Sequence, residues 1–323
     1  MTSRVLVPSV DTSAAVRLRV AAKTRAAEDV VTLELVDPGG RRLPPWTPGA
    51  HIDLVLGDGL TRQYSLCGDR FDAFRYRVGV LRERAGRGGS AYVHDVLRVG
   101  DEVGLGGPRN NFPLVPSPRY RFVAGGIGIT PLLPMIAQAE ALGADWHLLY
   151  GGRTRGSMAF LDELAPYGER VTVRPQETYG LLDLDPVLAE TAGTRVYCCG
   201  PAPLLDAITA RCADQPPGFL RTERFVAPEV GAARDEPFAV RLARSNRELV
   251  VVPGSSVLDT LRRAGVPVLS SCQQGVCGTC EVAVLDGIVD HRDSVLDETE
   301  RAEQACMLVC VSRARSDRLV LDV

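Results

Sequence analysis

The spacing of apolar and polar positions changes character along the chain. From about residue 16 to 115 it runs as short alternating segments: Val31-Thr32-Leu33-Glu34-Leu35-Val36, His51-Ile52-Asp53-Leu54-Val55-Leu56 and Arg75-Tyr76-Arg77-Val78-Gly79-Val80-Leu81. Asp37-Pro38-Gly39-Gly40 and Gly57-Asp58-Gly59 separate them, a rhythm that predicts an antiparallel barrel or sandwich. From about 116 to 226, continuous apolar strands alternate with helical stretches. Tyr120-Arg121-Phe122-Val123-Ala124 meets a glycine turn and then the apolar Leu132-Leu133-Pro134-Met135-Ile136. Trp146 to Tyr150 and Arg195 to Cys199 are further strand candidates, so a parallel, doubly wound sheet is expected.

Residues 227–237 are small, polar and proline-flanked, and read as a linker. Alternation resumes in Phe238-Ala239-Val240-Arg241-Leu242, and Ser256 to Arg263 is the helix candidate of this last stretch. The expected division is therefore a tail at 1–15, domains at 16–115 and 116–226, the linker, and a domain at 238–323. No repeat or low-complexity tract interrupts it.

Composition narrows the picture. A chain of 323 residues exceeds what a single core usually holds, so several domains are expected. The net charge of −3 argues against nucleic acid as a main partner. Lys23 is the sole lysine among abundant arginines, which reads as a codon bias and weakens any role assigned to one arginine. Met1 to Pro8 lacks a secretory apolar core, and no apolar run reaches membrane-spanning length. Nine cysteines in so long a chain do not suggest a disulfide scaffold, and a reducing cytoplasm is the expected location.

The cysteines carry the sharpest chemistry. Cys272, Cys277 and Cys280 follow C-x4-C-x2-C, with Cys310 further on, the plant-type ligand spacing for a [2Fe-2S] cluster. Gly275 and Gly278 suit a loop that folds back and brings backbone N–H groups toward the sulfurs. A competing zinc site could pair Cys277-x2-Cys280 with Cys306-x3-Cys310, which would leave Cys272 without a role. Cys306 also competes with Cys310 as the fourth cluster ligand.

Three other strings bear on cofactors. Arg62-Gln63-Tyr64-Ser65-Leu66 ends a strand candidate, and Gly86-Arg87-Gly88-Gly89-Ser90 opens a helix-like stretch where free N–H groups suit a phosphate. Arg62 could clamp the same phosphate, Tyr64 could pack on an isoalloxazine ring, and Ser65 could hydrogen-bond near its reactive nitrogen. Gly125-Gly126-Ile127-Gly128-Ile129-Thr130-Pro131, between strand and helix, stands where dinucleotide binding would place a pyrophosphate; by itself it requires only a close-approach turn. Cys199-Gly200-Pro201 ends the last strand candidate at the carboxyl edge where such sheets bind ligands, while Cys198 is expected to turn into the core.

Together with Pro108-Arg109-Asn110-Asn111-Phe112, these strings in this order resemble the phthalate dioxygenase reductase family, from about residue 16 to the end. They also resemble the reductase portions of self-sufficient bacterial cytochromes P450 and reductases of aromatic O-demethylases. The resemblance implies a multidomain α/β plus β architecture: an antiparallel flavin-binding β-barrel, a doubly wound parallel α/β nucleotide domain and a C-terminal β-grasp-like ferredoxin domain. It implies FMN held by Arg62, Tyr64, Ser65 and the turn Gly86, Gly88, Gly89 and Ser90. It also implies NADPH or NADH on Gly125, Gly126, Gly128, Thr130, Cys199, Gly200 and Pro201, and favours Cys310 as the fourth ligand. Glu223-Arg224-Phe225 matches a family string whose aromatic ring lies against the flavin, and Phe225 is carried over from it.

No acid follows the second nucleotide-domain strand, whereas Arg153 and Arg155 could pair with a 2′-phosphate, a slight lean toward NADPH. The activity expected is transfer of electrons from NAD(P)H through FMN and the cluster to an oxygenase, a cytochrome P450 or a Rieske enzyme, on another polypeptide, with Ser65 and Cys199 framing the hydride path. A cluster-containing sensor or a zinc-stabilised binding module would keep the cysteines and need neither flavin nor nucleotide. Asp290, Asp293, Asp297, Glu298, Glu300 and Glu303 form an acidic strip that either steers an acceptor or is a solvated helix face.

Overall fold

The computed structural model describes residues 16–57, 60–84, 86–226 and 236–323. The expected tail at 1–15, nearly all of the linker, and Asp58 and Gly59 of one turn lie outside the described residues. Contacts divide the chain into two compact units, one made of Leu18–Val103 with Gly107–Glu229, the other chiefly of Val230–Val323.

The first unit opens with six strands: β1 (Val16–Ala27), β2 (Val30–Val36), β3 (His51–Val55), β4 (Thr61–Ser65), β5 (Arg75–Leu81) and β6 (Glu102–Arg109). Their order in the sheet is β4-β3-β6-β1-β2-β5, with β1–β2, β2–β5 and β3–β4 antiparallel. Leu66, just beyond β4, bridges Val78 on β5, joining the two outer strands and closing a barrel. Alternation drives this: Leu33, Leu35, Tyr76, Val78 and Val80 are buried while Glu34, Val36, Arg75, Arg77 and Leu81 are less so, Gly79 being the one buried exception. The twelve-residue β1, which no turn signal marks as one strand, extends the expected set.

The parallel sheet follows with β7 (Arg119–Gly125), β8 (Asp145–Gly152), β9 (Val171–Pro175), β10 (Thr194–Cys199) and β11 (Leu220–Glu223). Its order, β11-β10-β7-β8-β9, is parallel throughout and reverses direction between β7 and β10. Successive residues feed opposite faces. Phe122, Ala124, Tyr197 and Cys199 join a core with Trp146 and Tyr150, whereas Val123, Val196 and Cys198 pack with Leu205 and Ile208. Burial on both faces explains the continuous apolar runs, and Cys198 does turn into the core. Thr130 and Phe160 reach Gly79 of β5, and Arg77 pairs with Glu163 at 2.7 Å, so barrel and parallel sheet are held together.

The second unit holds β12 (Phe238–Leu242), β13 (Arg247–Val251), β14 (Glu281–Asp286), β15 (Val289–Asp290), β16 (Cys306–Leu308), β17 (Arg313–Ala314) and β18 (Arg318–Leu321). The mixed sheet runs β13-β12-β18-β14-β16, with β12 and β18 parallel, and β15 pairs with β17. The helix Val257–Arg263, capped by Ser256 onto the Asp259 N–H, lays Val257, Leu258 and Leu261 into this core. One helix across a mixed sheet is the β-grasp-like arrangement expected.

Candidate functional site

The cysteine loop is built by backbone turns. Gln273, Gly275 and Gly278 all take positive φ, at 55°, 71° and 73°. A Cβ on Gly275 would come within 2.6 Å of Val311, so both the turn and the packing exclude a side chain there. The loop brings thiols together: Cys277 hydrogen-bonds Cys272, and Cys310 reaches both Cys272 and Cys280. Gln274 N–H points at the Cys272 sulfur at 3.3 Å, and Thr279 Oγ1 lies 3.2 Å from that of Cys277. Cys280 and Cys310 are anchored in the apolar core. Cys306 is elsewhere, on β16 opposite Ala283. Thiols gathered from both ends of the segment, with N–H and O–H groups turned on the sulfurs, fit an iron–sulfur cluster.

On the barrel, Arg62 lies across the start of the helix Gly89–Asp95. Its Nη2 donates to the Arg87 carbonyl at 2.6 Å and its Nη1 to that of Thr61 at 2.7 Å. A Cβ on Gly89 would stand 2.5 Å from the Arg62 side chain, and Gly88 takes φ 82°. Among the described residues no carboxylate pairs with Arg62 or Arg87. Burial first, then the charge of Arg87, lowers the pKa of Arg62. Two unanswered guanidiniums over a side-chain-free backbone fit a phosphate monoester. Ser90 and Gly86 have local tasks instead: Ser90 Oγ accepts from the Glu83 N–H, and Gly86 N–H donates to the Glu83 carbonyl. Tyr64 is half-buried, its pKa pushed up to about 12 by burial. Ser65 is buried and pairs across the strands with His51, so it shares a face with Gln63 rather than with Tyr64.

The glycine turn after β7 meets the end of β10. A Cβ on Gly128 would sit 2.2 Å from the Cys199 carbonyl oxygen, one on Gly125 2.6 Å from Pro201, and one on Gly200 2.9 Å from Gly125 Cα. These glycines answer the protein's own backbone. Gly126, at φ 54° with open space at its Cβ position, is the member with room for a ligand. Thr130 is buried, and its hydroxyl donates to the Ile127 carbonyl at 2.9 Å, so it fastens the turn rather than facing the crevice. Cys199 is fully buried, its pKa raised by burial and by the adjacent carboxyl of Glu223.

Glu223 is the residue that sequence reasoning passed over. It pairs with Cys199 across β10 and β11, with Oε2 3.9 Å from the sulfur. The residue is half-buried, but its carboxyl is enclosed, and burial pushes its pKa up to about 8. The sequence signal was present in Glu223-Arg224-Phe225, where only Phe225 was carried over; Phe225 itself is 39 % exposed. A second acid was hidden by chain distance. Glu177, beyond β9, accepts from the Arg155 N–H at 3.0 Å, and its own N–H donates to the Arg153 carbonyl at 3.0 Å. The loop after β8 therefore carries a carboxylate beside its exposed arginines. The acidic strip is broken as well: Asp293 is buried, and Asp290 pairs with Arg292 at 2.7 Å and Arg315 at 3.6 Å. Of the strip, Asp297 caps the helix Glu298–Glu303.

Residues 240–315 match the model of the 2Fe-2S iron-sulfur cluster binding domain. The chain is 45 % identical to the phenoxybenzoate dioxygenase subunit beta of Ectopseudomonas oleovorans, over 97 % of this chain and 98 % of that one. It is similar to a solved phthalate dioxygenase reductase, described as a modular structure for electron transfer from pyridine nucleotides to [2Fe-2S]. That match has 39 % identity and a TM-score of 0.70, covering 95 % of this chain and 97 % of the other. An intact type IV self-sufficient cytochrome P450 monooxygenase matches at 44 % identity and a TM-score of 0.89 over 96 % of this chain. The chain spans only 41 % of that longer protein.

Proposed function

The chain belongs to the phthalate dioxygenase reductase family, and from that premise we infer that it is the reductase component of an oxygenase system, oxidising NAD(P)H and delivering electrons to an oxygenase on another polypeptide. The observation that carries this reading is the gathering of Cys272, Cys277, Cys280 and Cys310 on a chain that also has a flavin-type barrel and a nucleotide crevice. A zinc module or a sensor would need neither of the latter. When bound, FMN would accept one hydride, an electron pair, and the [2Fe-2S] cluster would carry single electrons, so the two together would convert a two-electron donor into a one-electron source.

The protein's own groups do the holding. Arg62 and Arg87 bind the FMN phosphate over Gly88 and Gly89, and Tyr64 packs on the ring. Gly126 leaves the nucleotide room at the point where the parallel sheet reverses, and Gly200-Pro201 shape the opposite wall. Ser65 and Cys199 frame the hydride path, with Glu223 fixing Cys199. Phe225 covers the flavin edge. Residues 16–115 are assigned to flavin, 116–226 to the nucleotide and 238–323 to the cluster. No helix among the described residues is long and apolar enough to cross a membrane. No disulfide joins any of the nine cysteines, which suits the reducing cytoplasm proposed for it.

Anaerobic addition of NADH or NADPH to the purified holoprotein tests the reading. Flavin and cluster absorbance should bleach together, and a supplied Rieske oxygenase or cytochrome P450 should then be reduced. A protein that is colourless, or that binds zinc in place of iron, would falsify it.

A further inference from the structure

The cysteine-bearing unit contains a set of buried polar atoms that ligand binding does not use. His291 and Asp293 lie between β15 and the helix Glu298–Glu303, with side chains 6 % and 0 % exposed. Neither imidazole nitrogen has a hydrogen-bond partner, nor has Asp293 Oδ2, which stands 3.8 Å from His291 Nδ1. Asp293 Oδ1 accepts from the N–H groups of Val295 and Leu296, at 3.0 and 2.8 Å, so the carboxyl is rigidly placed. Arg301, from the following helix, donates Nη2 to the Asp293 carbonyl at 2.5 Å and leaves Nε buried and unpaired. Buried polar atoms left open in this number are uncommon and call for an explanation.

Their position supplies one. Ser294 N–H donates to the Gly275 carbonyl at 2.9 Å, and a Cβ on Gly275 would stand 3.0 Å from Asp293 Cα. The segment that carries the pair is therefore packed directly on the cysteine loop, between Cys272 and Cys277. We propose that His291, oriented by Asp293, is a redox-linked proton site: it takes one proton from solvent when the adjacent cluster gains one electron, and releases it when that electron leaves. The proposal rests on the cysteine loop being the cluster site. One charge of each sign enters together, and no ligand bond is broken.

The surrounding charges set the poise. Burial lowers the pKa of His291; Asp293 and Asp290 raise it, while Arg301 and Arg315 lower it. Burial leads, so the imidazole is held neutral below the ordinary histidine range before reduction. A negative charge added one backbone layer away, in a medium of low dielectric, strengthens proton binding by roughly tenfold. The sign follows: the reduced form binds the proton more tightly, so reduction becomes easier as pH falls through the histidine range. Above that range neither form holds the proton, and the dependence disappears.

Redox titration of the holoprotein at several pH values from 5 to 8, with the cluster followed by electron paramagnetic resonance, tests this. The expected result is a potential that rises as pH falls, by about 59 mV in total (a tenfold change in reduction constant for one electron), with a slope of at most about half that per pH unit. His291→Gln should flatten the slope while keeping the resonance. Asp293→Asn, which retains the Oδ1 acceptor, should move the sloping region to lower pH. A flat wild-type potential overturns the proposal, as does an unchanged slope in His291→Gln. If His291→Gln does not assemble a cluster, Asp293→Asn decides, and a slope left in place there counts against the proposal. Absence of any cluster resonance in the wild type would instead overturn the reading of the cysteine loop, a different failure from a flat potential.

Discussion

Two glycine-rich turns shape this molecule for unlike reasons. In the cysteine loop, Gly275 and Gly278 have positive φ because the chain must double back between cysteines only a few residues apart. In the turn after β7, Gly128 has no side chain because the carbonyl of Cys199, from a strand far along the sequence, occupies the place a Cβ would take. The first requirement is local and can be read from spacing. The second is imposed by tertiary packing, and the same letters in the sequence cannot be told from a phosphate-binding fingerprint. A glycine motif is therefore stronger evidence where its cause is close in the chain.

Breaking the local code should have the largest effect. Cys310→Ser should abolish cluster absorbance and reduce transfer to a protein acceptor by more than a hundredfold. Cys306→Ser should leave both nearly unchanged, since Cys306 is outside the thiol group; equal losses from both would return Cys306 to the ligand set. Breaking the packed turn comes next. Gly128→Ala forces backbone apart, which for overpacking of this kind costs about 1–3 kcal/mol, visible as a melting temperature several degrees lower. A Gly128→Ala protein as stable as the wild type would remove the packing explanation.

The flavin side is tested by Arg62→Gln. Losing one charge-assisted contact to a phosphate should weaken FMN binding by about ten- to a hundredfold, measured by titrating the apoprotein with FMN and following its fluorescence. At the nucleotide end, Glu177→Gln removes the carboxylate that sits on the Arg155 N–H. It should shift the ratio of kcat/KM for NADPH over NADH upward by several fold, whereas an unmoved ratio would place Glu177 outside the ribose site.

A last test concerns Glu223. Its folded-state pKa, about 8, is raised above its unfolded value, so the folded chain holds a proton that the unfolded chain releases. Wild-type stability should then fall relative to Glu223→Gln as pH rises from about 4.5 to 8, by at most about 1.4 kcal/mol per unit. Melting curves of both proteins across that range would show the gap; parallel curves would mean that the carboxyl is solvated.

Much of the fold was legible because its cause is periodic. β5 spans Arg75–Leu81 as the alternation indicates, and the buried runs of β7, β8 and β10 mark a sheet covered on both faces. β9 and β11 were not legible: they are short outer strands whose side chains are mostly half-buried, so neither alternation nor a continuous apolar run is present. Among the expected site residues, Arg62 lies across the glycine turn and the loop thiols lie together, whereas Thr130 and Ser90 have hydroxyls engaged with nearby backbone. Part of the acidic strip departed from expectation for a similar reason, since a carboxylate such as Asp293 can serve as an internal cap and appear in sequence as a surface charge.

By itself, then, the sequence determined the cysteine spacing, the change of period between the segments and the composition of each short glycine and Arg62-to-Leu66 string, because each depends on neighbours within a few residues. Only the tertiary structure decided that Glu223 lies against Cys199, that Glu177 joins the loop after β8, and that His291 and Asp293 are sealed against the cysteine loop. Those three contacts are set by strand order and burial, which bring together residues separated by long stretches of chain, and no local pattern records such a meeting.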